Sequence, residues 1–319
     1  MSMEEFSSGG KMGKTLVLFK NKNIYYFDNL ALPNIDIRSV FEDDTGSKHL
    51  GCKIARKLDS SLTRFYYEKW YKNLDQYEKI IVMDVMLSYD IKLLRNIAVK
   101  APNAKKYVYS WNIVKNDELY KRLRNEVEKN RFEIFCYDHH NCKKYNMKFN
   151  TIMYDRFLRI PKSDISCDSI FLGYMKDRKE NMLSLYNIMI TLGIKPRFIV
   201  VCEPKDNRLP CFEYSEQYID YYDYLEMIAA SRSLLDITQN GQDGYSMRVM
   251  EAIYFDKKLI TTNSYIRNAE FYDPNNILII DLNNLDTHSI QSFFDKEFHP
   301  YSESIKEYYS FEKWVERFE

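Results

Sequence analysis

Asp243 and Glu251 stand eight residues apart, and a loop holding Gly241 and Gly244 lies at the first of them. A helix is expected to begin at once, at Tyr245, so the backbone N–H groups of Gly244, Tyr245, Ser246 and Met247 would point outward together with the positive end of the helix dipole. That arrangement attracts an anion, and phosphate is the usual occupant. Arg248, one turn along the same helix, carries a guanidinium able to reach the same place. The chemistry on offer is the holding of a phosphate or diphosphate group.

The elements that position these residues are legible around them. Leu234, Leu235 and Ile237 form a short continuous apolar run, as expected of a parallel strand covered on both faces, over residues 233–238. Met247, Met250, Glu251 and Tyr254 recur at helical spacing over 245–255, and residues 258–262 read as the next strand. The same alternation runs through the whole chain. Strands are expected at 15–20, 35–40, 79–84, 106–110, 132–137 and 150–155, with helices at 50–71, 89–100 and 117–129. After a linker over 156–165 the pattern restarts: strands at 169–172, 197–202 and 276–281, and helices at 179–192 and 221–230. Such βα alternation predicts parallel sheets with helices on both faces. Asp84 and the Trp111-Asn112 pair then fall just past strand ends, the edge where open α/β sheets bind ligands. The segment 308–318 is amphipathic, with Phe311, Trp314, Val315 and Phe318 on one face.

Composition narrows the class. Length favours two domains, and 45% apolar with 29% charged residues is enough for two cores. The six cysteines lack a disulfide-framework spacing and are expected as free thiols in a reducing cytoplasm. No run approaches the roughly 18 apolar residues of a membrane span, and the polar stretch 1–13 reads as a loose leader. Its Gly9-Gly10-Lys11-Met12-Gly13-Lys14-Thr15 fails as a phosphate-binding P-loop, because Ser8 replaces the first glycine and a strand follows directly. No G-x-G-x-x-G follows a strand, which argues against a nicotinamide-dependent oxidoreductase. Cys136-Tyr137-Asp138-His139-His140-Asn141-Cys142 has no structural-zinc spacing and reads as a turn, ending at Tyr145. Net charge is zero, yet residues 1–160 hold 29 Lys and Arg against 20 Asp and Glu, a surplus of nine that the remainder cancels. A basic half makes an anionic membrane surface or a phosphorylated lipid a candidate partner. Nucleic acid is not expected, since no recognition motif for it is present. The basic and aromatic residues of 50–71 (Lys53, Arg56, Lys57, Arg64, Lys69; Phe65, Tyr66, Tyr67, Trp70) are the expected membrane contact.

The stretch Asp243-Gly244, Glu251-Ala252, then Lys257-Lys258-Leu259-Ile260 into Thr261-Thr262-Asn263 resembles the donor signature of GT-B glycosyltransferases, E-G-x-x-x-x-x-x-E-A-x-A-x-G-x-P-V-I, with Asp in place of the first Glu. Its wording is most similar to bacterial glycosyltransferase-like proteins of capsule, lipopolysaccharide and surface-glycan assembly. The resemblance implies an α/β GT-B fold: two Rossmann-like domains facing across a cleft, with the C-terminal helix folding back on the N-terminal domain. The expected division is a leader at 1–13, an acceptor domain at 14–160, a donor domain at 161–300 and the returning helix at 301–319. It implies a nucleotide-sugar donor, with a UDP-sugar expected, and a glycan or lipid-linked acceptor. Glu251 would accept hydrogen bonds from the ribose hydroxyls and Asp243 would contact the transferred sugar. The run Gly173-Tyr174-Met175-Lys176-Asp177-Arg178 is similar to the family's loop in which glycine permits close approach and a basic residue, Arg178 or else Lys176, grips the phosphates. No metal or cofactor is expected, because fixed cations and amides would neutralise the diphosphate. A general base would come from the first domain, with Asp84, His49 and Asp44 the candidates. The stereochemistry stays open, as does a nucleotide-binding or partner-chaperoning protein without turnover. The expected place of work is the cytoplasm, at or near the inner membrane face.

Overall fold

The computed structural model describes residues 13–20, 27, 30–41, 51–52, 54–55, 61–84, 91–176, 178–238 and 241–319. Two compact units result. The first comprises Met1–Tyr137, Asn141–Asn150 and Phe318; the second comprises Asp138–His140, Thr151–Arg317 and Glu319.

The first unit holds a six-stranded parallel sheet of β1 (Thr15–Phe19), β2 (Ile35–Ser39), β3 (Lys79–Met83), β4 (Lys105–Ser110), β5 (Glu133–Cys136) and β6 (Lys148–Phe149), in the order β2-β1-β3-β4-β5-β6. Its inner strands are buried almost without interruption, as continuous apolar runs such as Leu16-Val17-Leu18 and Ile80-Ile81-Val82 require. Helix α1 (Lys92–Lys100) follows β3, and α2 (Asp117–Lys129), capped by the Asn116 side chain on the amides of Glu118 and Leu119, follows β4. A short helix α3 (His139–Tyr145) stands where a turn was expected. Phe318 is fully buried in this unit, its ring 5.3 Å from Tyr107 and 4.8 Å from Phe135.

The long helix expected at 50–71 does not form as such. Residues Ser61–Tyr66 and Lys69–Gln76 are 3-10 turns, and between them Tyr67 bridges Phe41 in strand-like pairing. The reason is tertiary. Trp70 is buried and donates its indole N–H to the carbonyls of Ser39 (3.0 Å) and Val40 (3.3 Å), tying this stretch to the end of β2. The expected last strand at 150–155 reduces to one bridge, Tyr154 to Ser310, because β6 already ends the sheet at Phe149.

The second unit repeats the plan. Its strands are β7 (Cys167–Gly173), β8 (Pro196–Val201), β9 (Glu213–Ser215), β10 (Ser231–Asp236), β11 (Lys258–Thr261) and β12 (Ile277–Ile279), all parallel, in the order β12-β11-β10-β7-β8-β9. The helices are α4 (Lys179–Thr191), α5 (Tyr221–Ala229), α6 (Met247–Tyr254), α7 (Thr287–Asp295), α8 (Glu303–Tyr308) and α9 (Phe311–Glu316). The strand order reverses between β7 and β10. In doubly wound sheets such a switch point, outside the carboxyl ends of the two strands, is where ligands bind. One core, containing Phe171, Met182, Leu185, Phe198, Ile260 and Phe293, fixes α4 and α7 to the sheet beneath it.

Candidate anion site at the switch point of the second sheet

β7 ends at Gly173 and β10 ends at Asp236, with Leu234 paired to Ile170 in register. Asp236 is buried, and its carboxylate accepts from the Ser246 hydroxyl (2.7 Å) and the Thr261 hydroxyl (2.9 Å). Ser246 is the capping position of α6, with β-region angles, but it makes no side-chain cap. Its hydroxyl is spent on Asp236, which pins the start of α6 to the ends of β10 and β11. The first amides of any helix lack intrahelical acceptors, so the positive end of α6 is held at the sheet's carboxyl edge. Tyr245, just before it, packs edge-on against Phe271 with centroids 5.3 Å apart, and burial pushes its phenol up to about 12.

Two arginines meet at the same edge. The guanidinium of Arg178 donates to the backbone carbonyls of Ile237, Tyr174 and Met175, and that of Arg248 donates to the carbonyl of Leu172. Both lie over the ring of Phe171, at 5.4 and 5.0 Å from its centroid. Arg248 Nε is buried without a hydrogen-bond partner, and Arg248 makes no ion pair among the described residues. A Cβ placed on Gly173 would stand 2.8 Å from Arg248 Nη2. The glycine therefore does permit a close approach, and the group that approaches is this guanidinium. Lys176, exposed and in the left-handed region at φ 52°, turns the chain between Gly173 and Arg178; Asp177 lies outside the described residues.

The two acids sit differently from the expectation. Glu251 is 2% exposed, and its two oxygens accept from Tyr221 Oη and Tyr224 Oη, each at 3.0 Å. Tyr221 Oη in turn lies 2.6 Å from Tyr154 Oη. Burial pushes the Glu251 carboxyl above its ordinary value, against the pull of Arg248 and the two tyrosine hydroxyls. The residue expected to face a ribose is thus the centre of a buried phenol network. Asp243 accepts from the His140 amide (3.0 Å) through Oδ2, and its Oδ1 is buried without a partner. Burial first, and the neighbouring Asp138 carboxyl next, push it up, while the His140 amide opposes them.

Asp138 itself is fully buried and accepts the amides of Asp243 (2.9 Å) and Gly244 (3.0 Å). The Gly244 N–H expected to face a phosphate is therefore taken by a carboxylate of the chain. Asn263 braces the same loop from behind, donating to the carbonyls of Asp243 (3.1 Å) and Gly244 (3.3 Å). Gly241, at φ 78°, supplies the left-handed bend that lets the loop turn back to α6. Asp138, Asp236 and Asn263 were missed from sequence as positioning residues. Asp236 had a signal, an acid ending a buried apolar run, whereas Asp138 partners a loop more than a hundred positions away.

In the first unit, Asp84 stands one residue beyond β3 and its carboxylate accepts from Ser110 Oγ (2.8 Å) and the Trp111 amide (3.1 Å). Both oxygens hold the turn that leaves β4. His49 and Asp44, the other candidates for a base, lie outside the described residues. Among the described residues no two cysteines form a disulfide, and no three His, Cys, Asp or Glu side chains group as metal ligands.

No protein-family model matches the chain, and no curated protein sequence matches it. Solved structures do. An alpha-glucosyltransferase in complex with UDP and a 13-mer DNA containing a central A:G mismatch superposes with a TM-score of 0.50 at 11% identity, over 96% of this chain and 92% of that one. Sucrose-phosphate synthase from Thermosynechococcus elongatus gives 0.50 at 9% identity, over 96% and 97%. HepE of Anabaena, in complex with UDP and glucose, gives 0.50 at 11% identity, over 89% of each chain. The fold is GT-B. Within that fold, the arginine pair and the start of α6 occupy the switch point of the second sheet, the edge where a doubly wound sheet accepts a ligand.

Proposed function

We propose that this chain is a glycosyltransferase that binds a UDP-sugar at the carboxyl edge of its second sheet and passes the sugar to a glycan or lipid-linked acceptor in surface-glycan assembly. The observation that carries the reading is the convergence of Arg178, Arg248 and the amino end of α6, with Arg248 Nε buried and lacking a protein partner. Backbone carbonyls orient the two guanidiniums at one edge, where they can grip a diphosphate. Two of the similar structures hold UDP, which supports the choice of nucleotide.

In the transfer, an acceptor hydroxyl oxygen forms a bond to the anomeric carbon as the bond from that carbon to the diphosphate oxygen breaks. The nucleoside diphosphate leaves with the electron pair, and the hydroxyl proton passes to a base. The arginines and the helix end act on the charge that grows on the leaving diphosphate, which makes a divalent ion dispensable. Because Glu251 and the Gly244 amide are internally engaged, they serve in this reading as the frame of the site.

A thermal-shift screen against UDP-, GDP-, CMP- and dTDP-sugars tests the donor. A ligand at 100 times its dissociation constant stabilises by about 2.7 kcal/mol, and UDP-sugars should give the largest shift. Release of UDP with glycan, lipid-linked and duplex-DNA acceptors then separates turnover from the second reading, a nucleotide-binding scaffold. That second reading is favoured by the internal engagement of Asp243 and Glu251, and binding without release in all arms would establish it.

An anionic membrane is the partner proposed for the first unit. Of the aromatics named at 50–71, Tyr67 and Trp70 are core, whereas Phe65 is 69% exposed beside half-exposed Leu62, with Arg64 over the Phe65 ring at 5.2 Å. Lys53, Arg56 and Lys57 lie outside the described residues. No helix among those described is long and apolar enough to cross a bilayer.

A further inference from the structure

We propose that Asp138 and Asp243 are positioning residues that act as a pair, keeping a single proton between their carboxyl groups and so holding the loop in front of α6 in place. The bearing of that proton on ligand binding rests on the donor-site reading above. Both acids belong to the second unit, and each is bonded to the backbone of the other's segment. Asp138 Oδ2 accepts the amides of Asp243 (2.9 Å) and Gly244 (3.0 Å), while Asp243 Oδ2 accepts the amide of His140 (3.0 Å). These reciprocal main-chain bonds bring two acids together where Asp138 is fully buried.

The second oxygen of Asp243 decides where the proton sits. Oδ1 is buried with no hydrogen-bond partner among the described residues. In a carboxylate it would be a desolvated oxygen facing no donor, next to a second acid; in a carboxyl group it can carry the hydrogen and become a donor. Asp138 receives two N–H donors on one oxygen, which suits an acceptor-only carboxylate. The surrounding groups agree. Burial first and Asp138 next push the Asp243 carboxyl up, opposed by the His140 amide and by His139, whose ring lies 4.8 Å from that of Tyr265. Tyr245, raised by burial and in part by Asp243, stays neutral at working pH. With Asp243 protonated, the pair places one negative charge instead of two before the amino end of α6. Loss of the proton sets two like charges in one buried space and strains the three amide bonds that hold the loop.

Infrared titration of the full chain reads the proton directly. The parent should show a protonated-carboxyl band, absent from Asp243→Asn, that persists well above the ordinary aspartate value of about 3.9. Glu251 and Asp155, also raised by burial, leave bands common to both proteins, so the difference isolates Asp243. In Asp138→Asn, which keeps an oxygen for the two amides, the Asp243 band should titrate about one pH unit lower, because the like charge is gone. UDP affinity is the functional counterpart. The ratio of Asp243→Asn to parent, in which the ionisation of UDP itself cancels, should be near one in acid and rise to about tenfold once the pair is doubly ionised, the equivalent of one pKa unit of repulsion. No band difference between parent and Asp243→Asn, or identical titration of the band in Asp138→Asn, overturns the pair whatever UDP does. A shared proton with an affinity ratio that ignores pH overturns its bearing on the ligand. A parent that binds no UDP overturns the donor reading and leaves the infrared result to decide the pair.

Discussion

The carboxyl edges of the two sheets are built from the same plan and carry opposite kinds of anchorage. In the first unit the residue beyond the strand is an acid, and Asp84 spends both oxygens on a hydroxyl and an amide of its own neighbouring turn. The second edge has an acid of the same kind, Asp236, but beside it two cations, Arg178 and Arg248, are moored by carbonyls. A carboxylate satisfied by neutral donors is a finished structural part. A guanidinium held by carbonyls has five N–H donors in a planar fork, a geometry suited to a phosphate. In the proposed reading, the arginine pair makes the second edge the donor site and leaves the first a scaffold.

The largest expected effect follows from removing that charge. Arg178→Ala and Arg248→Ala should each weaken UDP binding by one to two decades, since hydrogen bonds to charged groups contribute about 1.5–3 kcal/mol. Asp84→Ala should leave the UDP dissociation constant unchanged while lowering thermal stability. A reversal of that pattern in titration calorimetry would remove the contrast between the edges.

Next comes the metal question. If fixed guanidiniums and the start of α6 suffice for the diphosphate, transfer should keep at least about half its rate in excess EDTA. Complete loss on chelation, restored by manganese or magnesium, would show that the arginine pair is not enough.

The third effect is on stability. Glu251 has its carboxyl raised by burial above its ordinary 4.5. A group raised in the folded state contributes stability that is fully present below its unfolded value and is lost as pH rises through the folded one. The parent should therefore lose stability from about pH 4.5 upward on this account. Glu251→Gln, which mimics the protonated form, should melt a few degrees above the parent at pH 8 and level with it at pH 4, each kcal/mol being roughly 2–4 °C. Equal melting at both values in calorimetric scans would mean that the tyrosine hydroxyls fully offset the burial of charge.

Much of this was legible in the residues because parallel sheets write themselves as short buried runs. β7, β10 and β11, with α2, α4 and α6 between elements, fall within two residues of the expected ends. The loop resemblance put Arg178 near the end of β7 and helical spacing put Arg248 one turn into α6, and the structure brings both over the Phe171 ring. What was not legible depends on partners distant in the chain. Trp70's bonds to the end of β2 override helical periodicity at 61–76, and Asp138 occupies the Gly244 amide. The partners of Glu251, Tyr221 and Tyr224, stand 30 and 27 positions away and arrive on α5. Residue type told that a carboxylate there accepts hydrogen bonds; it did not tell from whom.

The smallest expected effect belongs to the basic half. Arg64→Glu and Lys69→Glu should reduce co-sedimentation with phosphatidylserine vesicles at low salt, at about 1 kcal/mol per charge, and binding should fade as salt shortens the Debye length. Equal binding to neutral vesicles would show that Phe65 and Leu62, rather than charge, carry the contact.

Gly173 couples its own freedom to change to that of Arg248. An added methyl group would stand against the far end of a flexible side chain, so the backbone need not move, and it is the guanidinium of Arg248 that must retreat from the Leu172 carbonyl. Gly173→Ala should therefore be a quiet substitution for folding and a disabling one for the anion, while in an Arg248→Ala background it should have almost no further effect. The two positions form an epistatic pair, in which either change alone displaces the guanidinium and the second adds little. If the arginine grips the anion as proposed, binding is surrendered at the first step whichever of the two changes first.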